Sequence, residues 1–414
     1  MKRDHQATLT ISLFSAPVIV AALGYFVDIY DLLLFTQIRI PSLHSLGLND
    51  EGTREVGSYI LNVQMVGLLL GGILWGVLAD KKGRLSVLFG SIILYSLANI
   101  ANGLVHSVAQ YSVCRFIAGI GLAGELGAGI TLVSELLPKE KRGIATSLVA
   151  GIGLTGAIAA YFIKQQFSGP DGWRICYYIG GGMGLLLLLL RVSVFESGIY
   201  KQLADMPVAR GNFLAFFTSG KRFKKYLLSI LIGLPTWYVI GRLIAFSNDY
   251  GKEFNLQGTV DPARAVMFAY VAISVGDVLV GLLSQALHSR KKALFIFYAF
   301  TTISLVFFFM QNGGSVEGMY WICACLGFGT GFWAIFVTMA AEQFGTNLRA
   351  TAATTVPNMV RGSLVLITLL HESLIPAMGF VHAAAVTGAI VMSISVVAAI
   401  FTRETFGKDL AYVE

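Results

Sequence analysis

Apolar runs of roughly 17–25 residues recur from one end of this chain to the other, each long enough to cross a hydrocarbon core. In lipid, backbone N–H and C=O groups find no water, so each run must close its own hydrogen bonds as a helix. The runs are continuous and do not alternate, which excludes a transmembrane β-barrel. Composition agrees. Charged residues make up 13% of the chain and hydrophobic ones 56%, whereas a soluble domain carries about 25% charged residues. The expected fold class is an all-α membrane protein.

Twelve spans are expected, with limits near 14–38, 56–79, 85–105, 110–136, 143–164, 173–195, 224–247, 263–287, 293–311, 317–342, 349–371 and 379–401. The longest polar interruption, about 196–223, falls between spans six and seven. It divides the chain into a first six-helix bundle (1–195), a cytoplasmic linker (196–223) and a second six-helix bundle (224–414). Lys81, Lys82, Arg84, Lys139, Lys141 and Arg142 crowd loops on one side, while the other side holds Arg54, Lys252 and Arg264. By the positive-inside bias both termini are cytoplasmic. This topology accounts for the net charge of +7, and no nucleic-acid partner is needed to explain it. The opening "MKRDHQATLT" reads as a cytosolic lead-in, because no small-residue cleavage site follows it. The expected setting is a bacterial inner membrane.

The halves echo each other. Glu135 precedes Arg142 by seven residues in "SELLPKEKRGIATS", and Glu342 precedes Arg349 by seven in "AEQFGTNLRATAAT". The two copies are offset by 207 residues, half the chain. A second echo links "GVLADKKGR" to "GLLSQALHSRKKA", both basic turns after an even-numbered span. Duplicated halves are a transporter signature, with a substrate site between them near the midplane. The glycines of "GLLLGG" and "GIGLTG" read as close helix contacts. They are not nucleotide loops, since no strand precedes them and no Lys-Ser/Thr follows.

These motifs resemble those of the major facilitator superfamily. "GVLADKKGR" is similar to its signature loop, with Gly76, Asp80, Gly83 and Arg84 on the fixed positions. "RFIAGIGLAGELGAG" resembles the fourth-span motif, "SELLPKEKRG" a loop of the sugar- and metabolite-porter branches, and "RETFGK" the family's tail motif. The resemblance implies twelve helices in two pseudo-symmetric six-helix bundles. It also implies a cytoplasmic latch, to which Gly76, Asp80, Gly83, Arg84, Glu135, Arg142, Glu342 and Arg349 are assigned. The second copy has Gln285 where the acid would be, so the latch is expected to be asymmetric.

Charges inside spans are costly and mark function by default. Here they are Asp28, Asp31, Arg115, Glu125, Arg242, Asp277 and Arg361. Asp28 and Asp31 lie three apart, on one helix face. Neighbouring carboxylates in low dielectric cannot both ionise cheaply, so the pair can hold a proton. The phosphate and aromatic-acid symporters of the superfamily carry a similar acid pattern in span one, and "GLAGE" makes Glu125 a second proton candidate. Arg115 occupies the position that the resemblance ties to proton transfer. The competing reading for these acids is a structural ion pair with an arginine across the bundle. Arg242 and Arg361 are the expected anion ligands, since guanidinium suits carboxylate or phosphate. Trp237 and Tyr238 would supply aromatic walls and a hydroxyl, and Asp277 a partner for one arginine or a further titrating site.

No catalytic residues, cofactor or metal are expected. His106, His371 and His382 form no H-E-x-x-H motif, and the four cysteines read as small core residues. The expected function is a monomeric carrier, a proton-coupled symporter of a small organic anion. Its partners are that substrate, the proton and the lipid bilayer. Span five lacks the Gly-Pro of drug antiporters, and spans five and seven lack the sugar-porter glutamines. The alternatives are a facilitator or exporter of an amino acid, phosphate or metal–siderophore complex, and a transport-dead receptor.

Overall fold

A computed structural model describes residues 15–82, 84–125, 139–196 and 213–407. Within these, the backbone alone is described at 17, 79–82, 84–85, 139–148, 193–196, 346–347 and 349–350.

Span one is Ala16–Ser45, span two Asp50–Lys82, span three Arg84–Asn102, span four Val108–Leu122, span five Lys139–Gln166 and span six Gly172–Glu196. Span seven is compound: Gly220–Tyr238, a π-helical turn Val239–Ile244, and Ser247–Glu253. Spans eight and nine are Pro262–Ala286 and Arg290–Phe309. Span ten is broken into Val316–Thr330 and Trp333–Glu342. Span eleven begins as Thr346–Gly362 and continues into Leu364–Phe401, whose path breaks at Gly379 (φ 78°, ψ 166°) before span twelve. An L side chain rarely adopts that conformation, so a glycine stands at the reversal.

The chain is therefore all-α and passes twelve times through the bundle. Several helices outrun the expected spans: span one ends at Ser45 instead of 38, and span two starts at Asp50 instead of 56. Hydropathy marks the hydrocarbon core, whereas the helical ladder continues into the polar interface.

Helix pairing shows the internal repeat. Span one packs on span five as span seven packs on span eleven, and two on four as eight on ten. Between the halves, span five meets span eight and span two meets span eleven. Adding six to each number exchanges the two contacts, so the interface has the same pseudo-twofold symmetry.

Lipid supplies no hydrophobic drive between helices, so close van der Waals packing must hold them. Gly67 of span two and Gly119 of span four sit in each other's backbone: a Cβ on Gly67 would collide with the Phe116 carbonyl, and one on Gly119 with that of Gln64. Gly156 of span five lies equally close to the Phe26 carbonyl of span one.

The halves touch at both ends. At the end holding Ser45 and Asp50, Lys252 meets Asp50 at 2.6 Å, Lys164 meets Asp261 at 2.8 Å and Arg39 meets Asp249 at 3.3 Å. Toward the opposite end, Asn358 Nδ2 donates to the Ala123 carbonyl at 2.9 Å, and Thr355 packs beside Gly76. Between these closures lies a cavity.

Candidate functional site

The cavity draws its walls from both halves. Tyr25 of span one and Leu154 of span five face Trp237, Tyr270 and Trp333 of spans seven, eight and ten. Arg361 of span eleven is the charged residue of the lining.

Beside it stands Asp28, fully buried. Its Oδ2 lies 3.7 Å from Arg361 Nη2. That is too long for a direct hydrogen bond. Neither carboxylate oxygen of Asp28 has a hydrogen-bond partner among the described residues, and Arg361 Nε is likewise without one. Arg361 Nη1 reaches only Asn358 Oδ1, at 3.4 Å. A carboxylate and a guanidinium from opposite halves thus face each other with bonding capacity unused, at the wall of the cavity.

The other two acids are bonded inside the first half. Arg115 Nη1 donates to Asp31 Oδ1 at 2.9 Å and to Asn99 Oδ1 at 3.1 Å, and its Nη2 donates to the Asp31 carbonyl. Glu125 receives a two-pronged contact from Arg191, at 2.9 and 2.7 Å, and a third bond from Ser91 Oγ at 2.9 Å. Both pairs have the geometry of strong charge-assisted bonds. Three residues along span one thus separate an acid aimed at the other half, Asp28, from one tied within its own, Asp31.

Of the other expected site residues, Trp237 lines the cavity and Tyr238 does not: its hydroxyl donates to the Ala384 carbonyl at 2.6 Å. Asp277 accepts the Ala334 N–H at 3.0 Å and so caps the second half of broken span ten. Arg242 lies outside the lining, in a buried cluster toward the Ser45 end, with His371, Ser58 and Glu372. Pro235, inside span seven, precedes the π turn that carries Arg242. Proline removes a ladder bond, and π turns often mark functional positions.

In the expected latch, Gly76 packs on Thr355 and Glu342 pairs with Arg290 at 3.3 Å. The side chains of Asp80, Arg84, Arg142 and Arg349, and residues Gly83 and Glu135, lie outside what is described. Among the described residues no cluster of His, Cys, Asp and Glu could hold a metal ion.

Sequence reasoning passes over Arg191, although an arginine deep inside apolar span six carries the same signal as Arg115. It also gives no role to Tyr25, Tyr270, Trp333, Asp249 or Glu372. Aromatic residues are common packing material in such a chain, and nothing in their spacing marks the cavity-facing ones.

The sequence matches the family description "Major Facilitator Superfamily" over residues 6–368. The chain belongs to the Major Facilitator Superfamily. It is 26% identical over 428 residues to the niacin transporter NiaP of Acinetobacter baylyi, covering 94% of each chain. It is 27% identical to the sialic acid transporter NanX of Escherichia coli, over 72% of each. It is 25% identical to the cis,cis-muconate transport protein of Acinetobacter baylyi, over 80% of each. Among solved structures, the proton:xylose symporter XylE bound to 6-bromo-6-deoxy-D-glucose superposes with a TM-score of 0.70 at 17% identity, covering 96% of this chain and 97% of that one. This Major Facilitator Superfamily chain has the family's twelve-helix fold in two pseudo-symmetric six-helix bundles and is an integral membrane transporter, not an enzyme.

Proposed function

We propose that the chain is a proton-coupled symporter of a small organic anion, with Arg361 binding the anion and Asp28 carrying the proton. The observation that carries this reading is their opposition: both are buried, they come from different halves, they lie 3.7 Å apart, and both Asp28 oxygens are unbonded among the described residues.

Charge balance supplies the coupling. In the empty carrier Asp28 offsets Arg361. A proton on Asp28 leaves Arg361 uncompensated and ready to take a carboxylate, which suits its planar fork. Empty and fully loaded carriers then carry the same net charge in the cavity. A carrier holding only one of the two does not, and an isolated charge in low dielectric is costly. Both balanced forms can exchange which side they face, and the unbalanced ones cannot. The flat faces of Trp237, Trp333, Tyr25 and Tyr270 suit a planar or aromatic acid, and relatives named for niacin, benzoate and cis,cis-muconate support that class.

In this reading both termini are cytoplasmic and the Ser45 end faces outward, on the strength of the basic loops. Bacterial relatives support an inner-membrane location. The protein acts as a monomer, and segment 196–223 links bundles 1–195 and 224–414. The latch residues hold the cytoplasmic end.

Uptake of radiolabelled niacin and benzoate into proteoliposomes, with and without an inward proton gradient, tests the proposal. The unaltered chain is expected to accumulate at least one of them. Asp28→Asn is expected to lose gradient-driven accumulation while keeping exchange between equal pools, and Arg361→Gln to lose both. Full accumulation by Asp28→Asn would overturn the proton assignment.

A further inference from the structure

The cluster at the Ser45 end takes no part in the central site. Arg242 Nε donates to His371 Nδ1 at 2.6 Å, and His371 Nε2 lies 3.0 Å from the Phe380 carbonyl. A guanidinium has only N–H donors, so Nδ1 must present a lone pair. A carbonyl has only lone pairs, so Nε2 must carry the hydrogen. These two partners therefore admit a single form of the ring, the neutral Nε2–H tautomer. A proton added to Nδ1 would set N–H against N–H across 2.6 Å and place a second cation beside Arg242.

Arg242 is also a tie between the halves. Its Nη1 donates to Ser58 Oγ of span two at 3.0 Å, and Ser58 in turn donates to Glu372 at 2.8 Å. Next to it, Arg39 of span one bonds Asn248 at 2.8 Å and Asp249 at 3.3 Å. The guanidinium of Arg39 lies 4.0 Å from the centroid of Phe246, and that of Arg242 lies 4.9 Å from the same ring. His371 and Arg242 are both buried, whereas the side chain of the adjoining Glu372 is 43% exposed and gives protons a route from the surface.

We propose that His371 is the proton-responsive residue of this gate: its protonation displaces Arg242 and breaks the tie from Arg242 to Ser58 of span two. The inference rests on the outward orientation of this end proposed above. An acidic exterior would then open the face from which substrate and proton enter. The charged and titratable groups around the pair are Arg242, Asp249 and Tyr250 from span seven, Arg39 from span one, Arg54 from span two, and Glu372 on the helix of His371 itself. Arg54 adds to the repulsion. Glu372 and Asp249 are the rival proton acceptors.

Pulsed electron-resonance distances test this on the full chain without any substrate. Spin labels are placed on cysteines at exposed Ser168 and Thr259, one in each half, after the four native cysteines are replaced by alanine. The distance is expected to lengthen as the pH falls from about 7 to about 4. His371→Gln can accept from Arg242 and donate to Phe380, but cannot ionise, so it is expected to keep the short distance throughout. Glu372→Gln and Asp249→Asn are expected to retain the response. If His371→Gln does not fold, Arg242→Gln takes its place and must show one distance at both pH values. The proposal is overturned if the parent does not respond, if His371→Gln responds like the parent, or if either acid variant abolishes the response. None of these outcomes bears on the niacin and benzoate uptake that tests the central site.

Discussion

Asp31 and Arg115 are both fully buried and meet at 2.9 Å, yet they belong to the same half and do not part when the halves move. Removing one partner of such a pair leaves an uncompensated charge and costs about 3–5 kcal/mol. Asp31→Asn and Arg115→Gln are each expected to lower the melting temperature in detergent, and the double variant to recover part of the loss. Glu125→Gln is expected to behave the same way, since Arg191 would lose its acid. Melting curves that leave all three single variants unchanged would assign these pairs no structural role. The acids themselves were legible in the sequence, because charges stand out in apolar spans. Their separate partners were not. Three residues turn a helix by about 300° and lift it about 4.5 Å. That keeps two acids on one broad face while aiming them at different neighbours, and the neighbours come from elsewhere in the chain.

At the scale of the element, the breaks are the informative places. Gly379 to Ala would force an L side chain into φ 78°, ψ 166° and is expected to cost about 1–3 kcal/mol, visible as a lower melting temperature. The turn between spans eight and nine depends on Glu404. Burial alone would raise its carboxyl, but bonds from Ser289 Oγ and from the N–H groups of Phe406, Lys291 and Arg290 outweigh that and hold it at about 2, below its ordinary 4.5. A depressed folded value means that the stabilisation is present above about 4.5 and fades as the pH falls toward 2. The difference in melting temperature between the unaltered chain and Glu404→Gln is therefore expected to be constant above that range and to shrink within it. Hydropathy located spans ten and seven, but the break at Thr330–Trp333 and the π turn at Val239–Ile244 went unread. Both arise where a glycine or proline meets a specific partner, such as Asp277 capping Ala334, and apolar periodicity is blind to that.

Across the whole molecule, the interface of the two halves must open at alternate ends for transport to occur. Gly76 and Thr355 face each other there, and a Cβ on Gly76 would lie 3.4 Å from Thr355 Cγ2. Thr355 Cβ lies one bond beyond that methyl, outside 4 Å, which puts the pair near the upper end of the about 3.5–4.5 Å that separates the Cβ atoms of a disulfide. Gly76→Cys with Thr355→Cys is expected to stop niacin or benzoate uptake on oxidation and to restore it on reduction. Uptake that continues in the oxidised, cross-linked protein would show that this end does not open.

The sequence by itself determined the class, the number of crossings and the duplication, because each depends on composition and on local period. Lipid forces every apolar run into a helix whatever lies beside it. The list of unusual charges was also readable, since a charge in hydrocarbon is costly wherever it points. Which acid meets which arginine was decided only by tertiary structure. Asp28 is 333 residues from Arg361, and Glu125 is 66 from Arg191. Side-chain electrostatics acts over a few ångströms in space, and only helix packing converts those sequence separations into contact.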